Sequence, residues 1–323
     1  MKGCRNMKKP LKTLAGIAVG AGAALFAAGE VMYHCILNTD VQHFLASKGL
    51  FRNEAEDKFW AENEIYQGAI RWYNEINPEI LTIYSSLGRD MRAEFIPAET
   101  PSDKWAIVIH GYSGDPATMA HYAQKYRTMG FNVIMPHMVG HDSDSVRYCS
   151  MGYHDKTMIK DWISYIVSRN PEAKILMHGV SMGSATTMLV TGEDIPSNVV
   201  CAVADCGYTS CWDEYVYQAK QMFRMPPLVV ESANFASKRR KNFDFKKCAP
   251  IDAVRKSKTP TLFIHGADDD FVPYHMMQPL YESCAAQDKQ MLTVPGSFHA
   301  NAAFTDNELY WETVIGFIGK YFS

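Results

Sequence analysis

A serine between two glycines, a run of aspartates and a late histidine are the residues whose types and order could perform acyl-transfer chemistry. Ser181 lies in the segment MHGVSMGS, between Gly179 and Gly183. A serine hydroxyl is a weak nucleophile until a base takes its proton, and a third group must orient that base. His299 in VPGSFHA and the aspartates of HGADDDFVP (265–273) follow the serine in the order Ser, Asp, His. The spacing therefore predicts a serine nucleophile with a histidine base.

The elements that must position these residues are predicted from apolar runs alternating with helical stretches. The strand-like runs are WAIVIH (105–110), FNVIMP (131–136), KILMHGV (174–180), VVCAVAD (199–205), TLFIHG (261–266) and QMLTVPG (290–296). Helices are predicted between and after them, at about 116–129, 154–169, 182–192, 273–286 and 306–321. Strands alternating with long helices indicate an α/β fold whose mostly parallel sheet carries helices on both faces. An antiparallel hairpin, ILTIYSS and MRAEFIPA, is expected to precede them.

Ser181 falls where a predicted strand passes directly into a predicted helix. The strand KILMHGV ends just before the serine, and MGSATTMLVTG begins the helix just after it. In such a turn the serine backbone is strained and its hydroxyl is exposed, and side chains at Gly179 and Gly183 would collide with the neighbouring elements. The helix N-terminus also offers free N–H groups and partial positive charge to an oxyanion.

Four motifs together resemble the α/β-hydrolase superfamily from about residue 79 to 323. These are HGYSGDP (110–116), GVSMGS (179–184), HGADDDFVP (265–273) and GSFHA (296–300). Within the superfamily, DCGYTS (205–210) and the segment after it are similar to bacterial membrane-anchored or extracytoplasmic serine hydrolases of the serine-aminopeptidase and esterase-like group. The resemblance implies the α/β-hydrolase fold with a small helical lid, and catalysis without a metal or organic cofactor.

The resemblance also assigns roles to individual residues. The family pattern H-G-x-x-D-x-x-V-P maps onto His265, Gly266, Asp269, Val272 and Pro273. It selects Asp269 as the triad acid, with Asp268 and Asp270 as alternatives. The backbone N–H groups of Tyr112 and Met182 are implied as the oxyanion hole, which stabilises the negative charge of the tetrahedral intermediate.

The interval between VVCAVAD and TLFIHG is too long for a simple crossover and predicts a helical insertion at about 207–250. One side of it is apolar, with Met222, Phe223, Met225, Pro226, Pro227, Leu228 and Phe235. A helix packed on the body and a lid over an acyl pocket both fit this pattern. The insertion is rich in cations, and Asp213, Glu214 and Glu231 are among its acids.

The first thirty residues predict an export signal. Five cations, at positions 2, 5, 8, 9 and 12, precede the apolar run LAGIAVGAGAALFAAG (14–29). We interpret 1–30 as a signal anchor or signal peptide, 31–78 as a helical extension and 79–323 as the catalytic domain. The favoured interpretation is an uncleaved anchor with the catalytic domain outside the cytoplasm. The alternative is secretion after cleavage at Ala27-Ala28-Gly29.

Composition excludes some function classes. The 323 residues are 47% hydrophobic with a formal net charge of −3, so the chain is globular and has no basic field for nucleic acid. The eight cysteines are scattered, and the nearest to a metal pattern, at 201, 206 and 211, lack C-x-x-C pairs. Buried thiols, with at most one disulfide, are therefore expected in place of a metal site.

The sequence thus predicts a serine hydrolase that cleaves an ester-type acyl bond through Ser181, Asp269 and His299. The expected substrate is a small-molecule acyl ester or a lipid-like ester, as for carboxylesterases and lipases. An aminopeptidase-like serine peptidase is the first alternative, although such enzymes usually hold the substrate amine with lid acids, and this lid is rich in Lys and Arg. A non-catalytic binding protein on the same scaffold is the second. The oligomeric state is left open.

Overall fold

The computed structural model describes residues 8–48, 54–142 and 146–322. Four helices precede the sheet: α1 (Lys8–Leu37), α2 (Thr39–Ser47), α3 (Glu54–Glu62) and α4 (Glu64–Ile76). The strands are β1 (Glu79–Ser85), β2 (Arg89–Ile96), β3 (Lys104–Ile109), β4 (Asn132–Pro136), β5 (Lys174–Val180), β6 (Val199–Asp205), β7 (Thr261–Gly266) and β8 (Lys289–Val294). The remaining helices are α5 (Ala120–Thr128), α6 (Asp155–Arg169), α7 (Met182–Thr191), α8 (Cys211–Phe223), α9 (Pro227–Lys241), α10 (Pro250–Val254), α11 (Met277–Ser283), α12 (Ala302–Thr305) and α13 (Asn307–Ile318).

Within the described residues, eight strands form one sheet in the order β1-β2-β4-β3-β5-β6-β7-β8. The first two strands make the predicted antiparallel hairpin, and β2 is antiparallel to β4. All later neighbours are parallel. The predicted α/β-hydrolase fold is confirmed by this mostly parallel, helix-covered sheet. Because the strands are parallel, the carboxyl ends of β5, β6 and β7 lie along one edge, where Val180 pairs with Asp205 and Asp205 with Ile264.

The central strands are apolar on both faces because helices cover the sheet from both sides. In β3, for example, Ile107 and Ile109 belong to one core cluster, while Ala106 and Val108 belong to another on the opposite face. Successive side chains of a strand point to opposite faces, so an uninterrupted apolar run serves both cores. This is why the predicted strands of the central sheet lack the alternating pattern of a half-exposed sheet.

The predicted insertion at 207–250 contains α8 and α9. The Ser210 hydroxyl caps α8 by accepting a hydrogen bond from the Asp213 N–H (3.0 Å). The helix ends at Arg224, which adopts a left-handed conformation (φ 52°). Pro227 is the first residue of α9, where its missing N–H costs nothing. The short connection between the two helices is therefore a sharp corner.

Helix α1 is continuous across residue 30, where the sequence patterns separate an export signal from a helical extension. Its window Gly20–Leu37 is long and apolar enough to cross a membrane by length and composition alone. Three residues on one face of the helix, Gly29, Tyr33 and Leu37, are nevertheless buried against the folded body. The spacing i, i+4, i+8 is that of a single helical face. The C-terminal part of α1 therefore packs as part of the globular fold.

Candidate active site

Ser181 occupies a strained turn between β5 and α7. Its backbone has φ 57° and ψ −116°, a conformation that non-glycine residues rarely adopt. A Cβ atom on Gly179 would lie 2.0 Å from the carbonyl oxygen of Gly183, and one on Gly183 would lie 2.0 Å from that of Ile109. Both positions therefore require glycine, for the steric reason that the sequence motif predicts. The turn points the serine side chain out of the sheet edge.

The structure brings the three predicted triad residues together. His299 Nε2 lies 2.9 Å from Ser181 Oγ, and His299 Nδ1 lies 2.8 Å from Asp269 Oδ2. Of the three consecutive aspartates, Asp269 alone is buried, while Asp268 and Asp270 are exposed. The two hydrogen bonds give the histidine one nitrogen for the serine and one for the acid. This is the geometry in which a serine hydroxyl can be deprotonated.

Asp269 is held as an anion by donors on both carboxylate oxygens. Its Oδ1 accepts hydrogen bonds from the N–H groups of Phe271 (3.1 Å) and Val272 (2.9 Å). Its Oδ2 also lies 3.2 Å from Nε2 of His265. Burial by itself would raise the pKa of this carboxyl, but the charge of His299 and the hydrogen bonds outweigh burial and lower the pKa to about 2. The acid is therefore ionised throughout the physiological pH range.

His299 is electrostatically coupled to this carboxylate. Burial disfavours its imidazolium form, but the Asp269 carboxylate at Nδ1 reverses the effect and raises the pKa of His299 well above 6.5. The thiol of Cys206 also lies beside the histidine, with ligand atoms of Cys206, Asp269 and His299 all within 4.8 Å of one another. A sulfur, nitrogen and oxygen set of this kind can in principle hold a zinc-like cation. In this protein its histidine and aspartate are already engaged in the serine–histidine–aspartate chain.

The two predicted oxyanion-hole residues both lie beside Ser181. Met182 is the first residue of α7 and directly follows the serine. Tyr112 follows Gly111, where an added Cβ atom would lie 3.2 Å from the Ser181 Cβ. The Tyr112 side chain points away from the hole, since its hydroxyl donates to the carbonyl oxygen of Ile36 at 3.0 Å. The end of helix α1 thus holds the residue whose backbone N–H is expected to bind the oxyanion.

Two neutral histidines fix the loop that carries Tyr112. His110 Nε2 accepts from the Met138 N–H (3.2 Å), so its Nδ1 carries the proton and donates to the Gly111 carbonyl (2.8 Å). His141 Nε2 accepts from the Ser113 N–H at 3.1 Å. Burial lowers the pKa of both imidazoles, to about 3 for His110. Both histidines are therefore neutral at pH 7, as acceptors of backbone N–H groups must be.

A buried polar network beneath Ser181 is not evident from the sequence. Tyr310 donates its hydroxyl proton to Asp205 Oδ2 (2.8 Å) and also lies 3.1 Å from His178 Nε2. The other nitrogen of His178, Nδ1, lies 2.6 Å from the Tyr126 hydroxyl. The backbone carbonyl of Asp205 in turn accepts the Ser181 N–H at 2.9 Å. The network therefore supports the end of β6, on which the serine turn depends.

We expect Tyr310→Phe to destabilise the fold by about 1.5–3 kcal/mol, because a buried carboxylate loses its hydroxyl donor. Burial raises the pKa of Asp205 to about 6, above the ordinary unfolded value of about 3.9. A carboxyl with a raised pKa in the folded state costs stability progressively as the pH rises from the unfolded pKa to the folded pKa, and loss of the Tyr310 hydrogen bond raises the folded pKa further. The destabilisation by Tyr310→Phe should therefore be larger at pH 8 than at pH 5. Denaturant unfolding at the two pH values measures it, and a pH-independent loss would contradict the assignment.

Comparison with known proteins places the chain among hydrolases. The profile of the prolyl oligopeptidase family matches residues 117–323. The Bacillus subtilis protein YqkD is 26% identical over 308 residues, which cover 94% of this chain and 96% of that protein. The thermostable monoacylglycerol lipase of Bacillus sp. strain H-257 is 21% identical over 236 residues, 67% of this chain and 90% of the lipase. The Pyrococcus furiosus esterase Pf2001 superposes with a TM-score of 0.63 at 19% identity, over 78% of this chain and 96% of the esterase.

Proposed function

Since the chain belongs to the prolyl oligopeptidase family, and is thus a serine hydrolase of the α/β-hydrolase superfamily, we propose that it cleaves uncharged carboxylic esters. Ser181 is the nucleophile, His299 is the base, and Asp269 is the acid that orients the histidine. In this mechanism His299 Nε2 takes the serine proton as Oγ attacks the ester carbonyl. The N–H groups of Tyr112 and Met182 stabilise the oxyanion. His299 then protonates the leaving alcohol, and a water molecule that it activates releases the acid from the acyl-enzyme.

The observation that carries the preference for an uncharged acyl group is the state of the lid acids. The Asp213 carboxylate accepts the hydroxyl protons of Thr209 (2.7 Å) and Ser210 (2.8 Å). Glu231 pairs with Lys246 at 2.6 Å. These two carboxylates are already compensated and offer little to the ammonium group of a peptide. The names of two similar proteins, an esterase and a monoacylglycerol lipase, agree with an ester substrate.

We also propose that α1 anchors the enzyme to a membrane and keeps the catalytic domain outside the cytoplasm. The apolar character of its Gly20–Leu37 window and the cations that precede it support this placement. Lipid esters in the bilayer would then be substrates within reach of the site. Cleavage at Gly29 would cut the helix within the face that packs on the body, so the uncleaved anchor is the form we favour.

Parallel assays on p-nitrophenyl acyl esters of graded chain length and on aminoacyl arylamides test the ester assignment. We expect turnover of the esters, with the arylamides slower by orders of magnitude. A fluorophosphonate probe should label the same protein at one serine, which reports the fraction of competent sites. Arylamide turnover that matches or exceeds ester turnover would reject the ester assignment in favour of a peptidase.

A peptidase is the second candidate because of one lid residue, Glu214. Its side chain is buried, its Oε1 accepts from Gln218 (3.0 Å), and its Oε2 has no hydrogen-bond partner among the described residues. Gln218 also donates to the carbonyl oxygen of Phe271, whose ring lies 4.9 Å from that of His299. A carboxyl so close to the triad could pair with a substrate ammonium group. Burial raises the pKa of Glu214 to about 7, so near neutral pH it is only partly ionised.

The variant Glu214→Gln separates the two candidates. If the substrate is an uncharged ester, the change removes a buried partial charge and should alter kcat/KM for esters by less than about threefold, since no ion pair is lost. If the substrate carries an ammonium group, kcat/KM for aminoacyl arylamides should fall by about 10²-fold or more, as expected for a desolvated ion pair. Steady-state kinetics on both substrate classes give the answer, with Glu231→Gln as the exposed control in the same lid.

A further inference from the structure

Helices α1 and α9 run side by side in the same direction. At one end, the Leu37 carbonyl accepts the Cys149 N–H (2.8 Å), while the Lys241 ammonium lies 5.3 Å from the centre of the adjacent Tyr148 ring. At the other end, a Cβ atom on Gly29 would lie 2.2 Å from Ser232 Oγ. These contact points are eight residues apart on α1 and nine apart on α9, about 12 and 14 Å of helix. Together with the Arg240 guanidinium, which lies 5.4 Å from the centre of the Tyr33 ring, these contacts fit helices that run in the same direction.

The parallel arrangement places the corner between α8 and α9 beside the N-terminal half of α1. From the contact of Gly29 with Ser232, α9 continues backwards for about 8 Å to its first residue, Pro227. Over the same distance α1 reaches residues 24–26, and residues 20–24 are all exposed. The helix thus leaves the folded body at the level of this corner. We call residues 222–228 the lid tip.

The lid tip is apolar and open to solvent. Met222 is 44% exposed, Phe223 51% and Leu228 59%, and Pro226 and Pro227 are exposed as well. Phe26, at the neighbouring level of α1, is 44% exposed. Exposed apolar side chains grouped in this way, as in residues 222–228, mark a site of interaction with a partner or a membrane.

The length of the apolar segment in α1 favours a membrane over a protein partner. The run 14–29 has 16 residues and is about 24 Å long as a helix, whereas the hydrocarbon core of a bilayer is about 30 Å thick. A bilayer that begins at the flanking lysines therefore extends past Gly29, to about residue 33. The lid tip lies on the bilayer side of that level, because it precedes Ser232 on α9. The anchor cannot cross the membrane without bringing the tip into contact with lipid.

The charges around the lid tip fit an anionic surface. Lys220 and Arg224 flank its apolar side chains, and no acidic residue occurs between Glu214 and Glu231. Nearer the body, Arg239 and Arg240 both pair with Glu30 of α1 and lie where the phosphate groups would be. Long cationic side chains can keep their charge at the phosphate level while their alkyl stems lie in apolar surroundings. Anionic phospholipid therefore complements both ends of the region.

From these contacts we propose that the lid tip and the N-terminal half of α1 form one surface that inserts into an anionic lipid bilayer. The inference rests on the membrane anchoring given under the proposed function and goes beyond it, because the lid itself touches lipid. Apolar side chains of the tip enter the acyl region, and Lys220 and Arg224 extend their charged ends towards the phosphates. The lid over Ser181 is thereby held at the membrane surface, where an ester can pass from the bilayer to the site.

Depth-dependent quenching tests the surface in the full-length protein. The variant Leu228→Cys is labelled with an environment-sensitive fluorophore. The labelled protein is then reconstituted in vesicles of phosphatidylcholine and phosphatidylglycerol, and doxyl-labelled lipid serves as the quencher. The matched control is Ile315→Cys on α13, an exposed position (46%) far along the chain. The signal of equally treated wild-type protein is subtracted because of its native thiols. We expect quenching at residue 228 to exceed that at residue 315 by at least about twofold, as for a side chain at the acyl boundary.

A charge-reversal variant and an ester assay complete the test. Lys220→Glu with Arg224→Glu should abolish the increase in quenching caused by phosphatidylglycerol, since each cation near an anionic surface changes the binding constant about fivefold. Equal quenching at residues 228 and 315 would overturn the proposal, and self-association through the tip would then explain its exposure. Ester turnover is measured on the same samples. Quenching without turnover would reject the ester function alone, and turnover without quenching would reject the surface alone.

Discussion

Replacing Ser181 with alanine is expected to lower kcat for p-nitrophenyl acyl esters by about 10⁶-fold, to the level left by binding and the oxyanion hole. The loss should be complete in practice because Oγ is the atom 2.9 Å from His299 Nε2, and no other hydroxyl is placed there by the described structure. Labelling by a fluorophosphonate should disappear with the activity. Stopped assays over hours, with the uncatalysed rate subtracted, measure the residual rate.

Ser184→Ala is the matched control for this prediction. Ser184 lies three residues further along the same turn and helix and is buried, and within the described part of the chain its Oγ has no hydrogen-bond partner. The same chemical change at this position should leave kcat within a few-fold of wild type. If Ser181→Ala retained wild-type turnover, the nucleophile would have to be a different residue.

The second large effect is expected from Asp269→Asn, which should lower kcat by about 10⁴-fold. The carboxylate accepts a hydrogen bond from the His299 Nδ1–H and so keeps Nε2 free to receive the proton of Ser181. An amide can instead donate to Nδ1 and stabilise the tautomer that has its proton on Nε2. That tautomer cannot act as a base towards the serine. The fold should not change, because the two side chains have nearly the same shape.

The same variant should shift the dependence of the rate on pH. The base must be neutral, so kcat/KM of the wild-type enzyme rises as the pH passes through the raised pKa of His299. Removing the Asp269 charge removes the main stabilisation of the imidazolium, and the pKa falls. The residual activity of Asp269→Asn should therefore reach its plateau at lower pH than the wild type. A profile displaced to higher pH would contradict the assigned role.

The neighbouring aspartates provide controls. Asp268 and Asp270 are exposed, and the contact of Tyr217 with residue 270 is to its backbone carbonyl (3.0 Å). Asp268→Asn and Asp270→Asn should therefore both keep kcat within a few-fold of wild type. A 10⁴-fold loss in either would move the acid away from Asp269.

The serine turn was predictable because its determinants are local. Gly179, Ser181 and Gly183 stand in one short motif, and the apolar strand before it and the helix after it are visible in the same window. The strands of the central sheet were equally clear, since an uninterrupted apolar run is the pattern of a strand covered on both faces. The choice of Asp269 over its neighbours came from family resemblance, and the structure adds that it alone of the three is buried.

The polar network and the docking of α1 were not predictable, because both depend on residues far apart in the chain. His178 lies within an apolar strand and Tyr310 within an amphipathic helix, and neither carries a local sign that they meet 3.1 Å apart. Likewise, Glu30 directly follows an apolar segment, and the sequence indicates only that this segment ends there. Its partners Arg239 and Arg240 lie in a basic run that is typical of a solvent-exposed helix face. The pattern of residue types along a chain indicates burial and the period of the secondary structure. It does not indicate which distant residues contact each other.

The packing of α1 against α9 also determines when, during synthesis of the chain, α1 can reach its final environment. Glu30 and Arg239 are 209 residues apart. The packed face of α1 therefore stays uncovered until the ribosome has synthesised the 209 residues that follow Glu30. At about 5–20 residues per second that interval is about 10–40 s. During it Gly29, Tyr33 and Leu37 have no α9 to pack on, and the ribosome still holds the rest of the chain. The packed face of α1 is therefore covered only after the lid helix α9 has been synthesised, although α1 precedes every other described element of the chain.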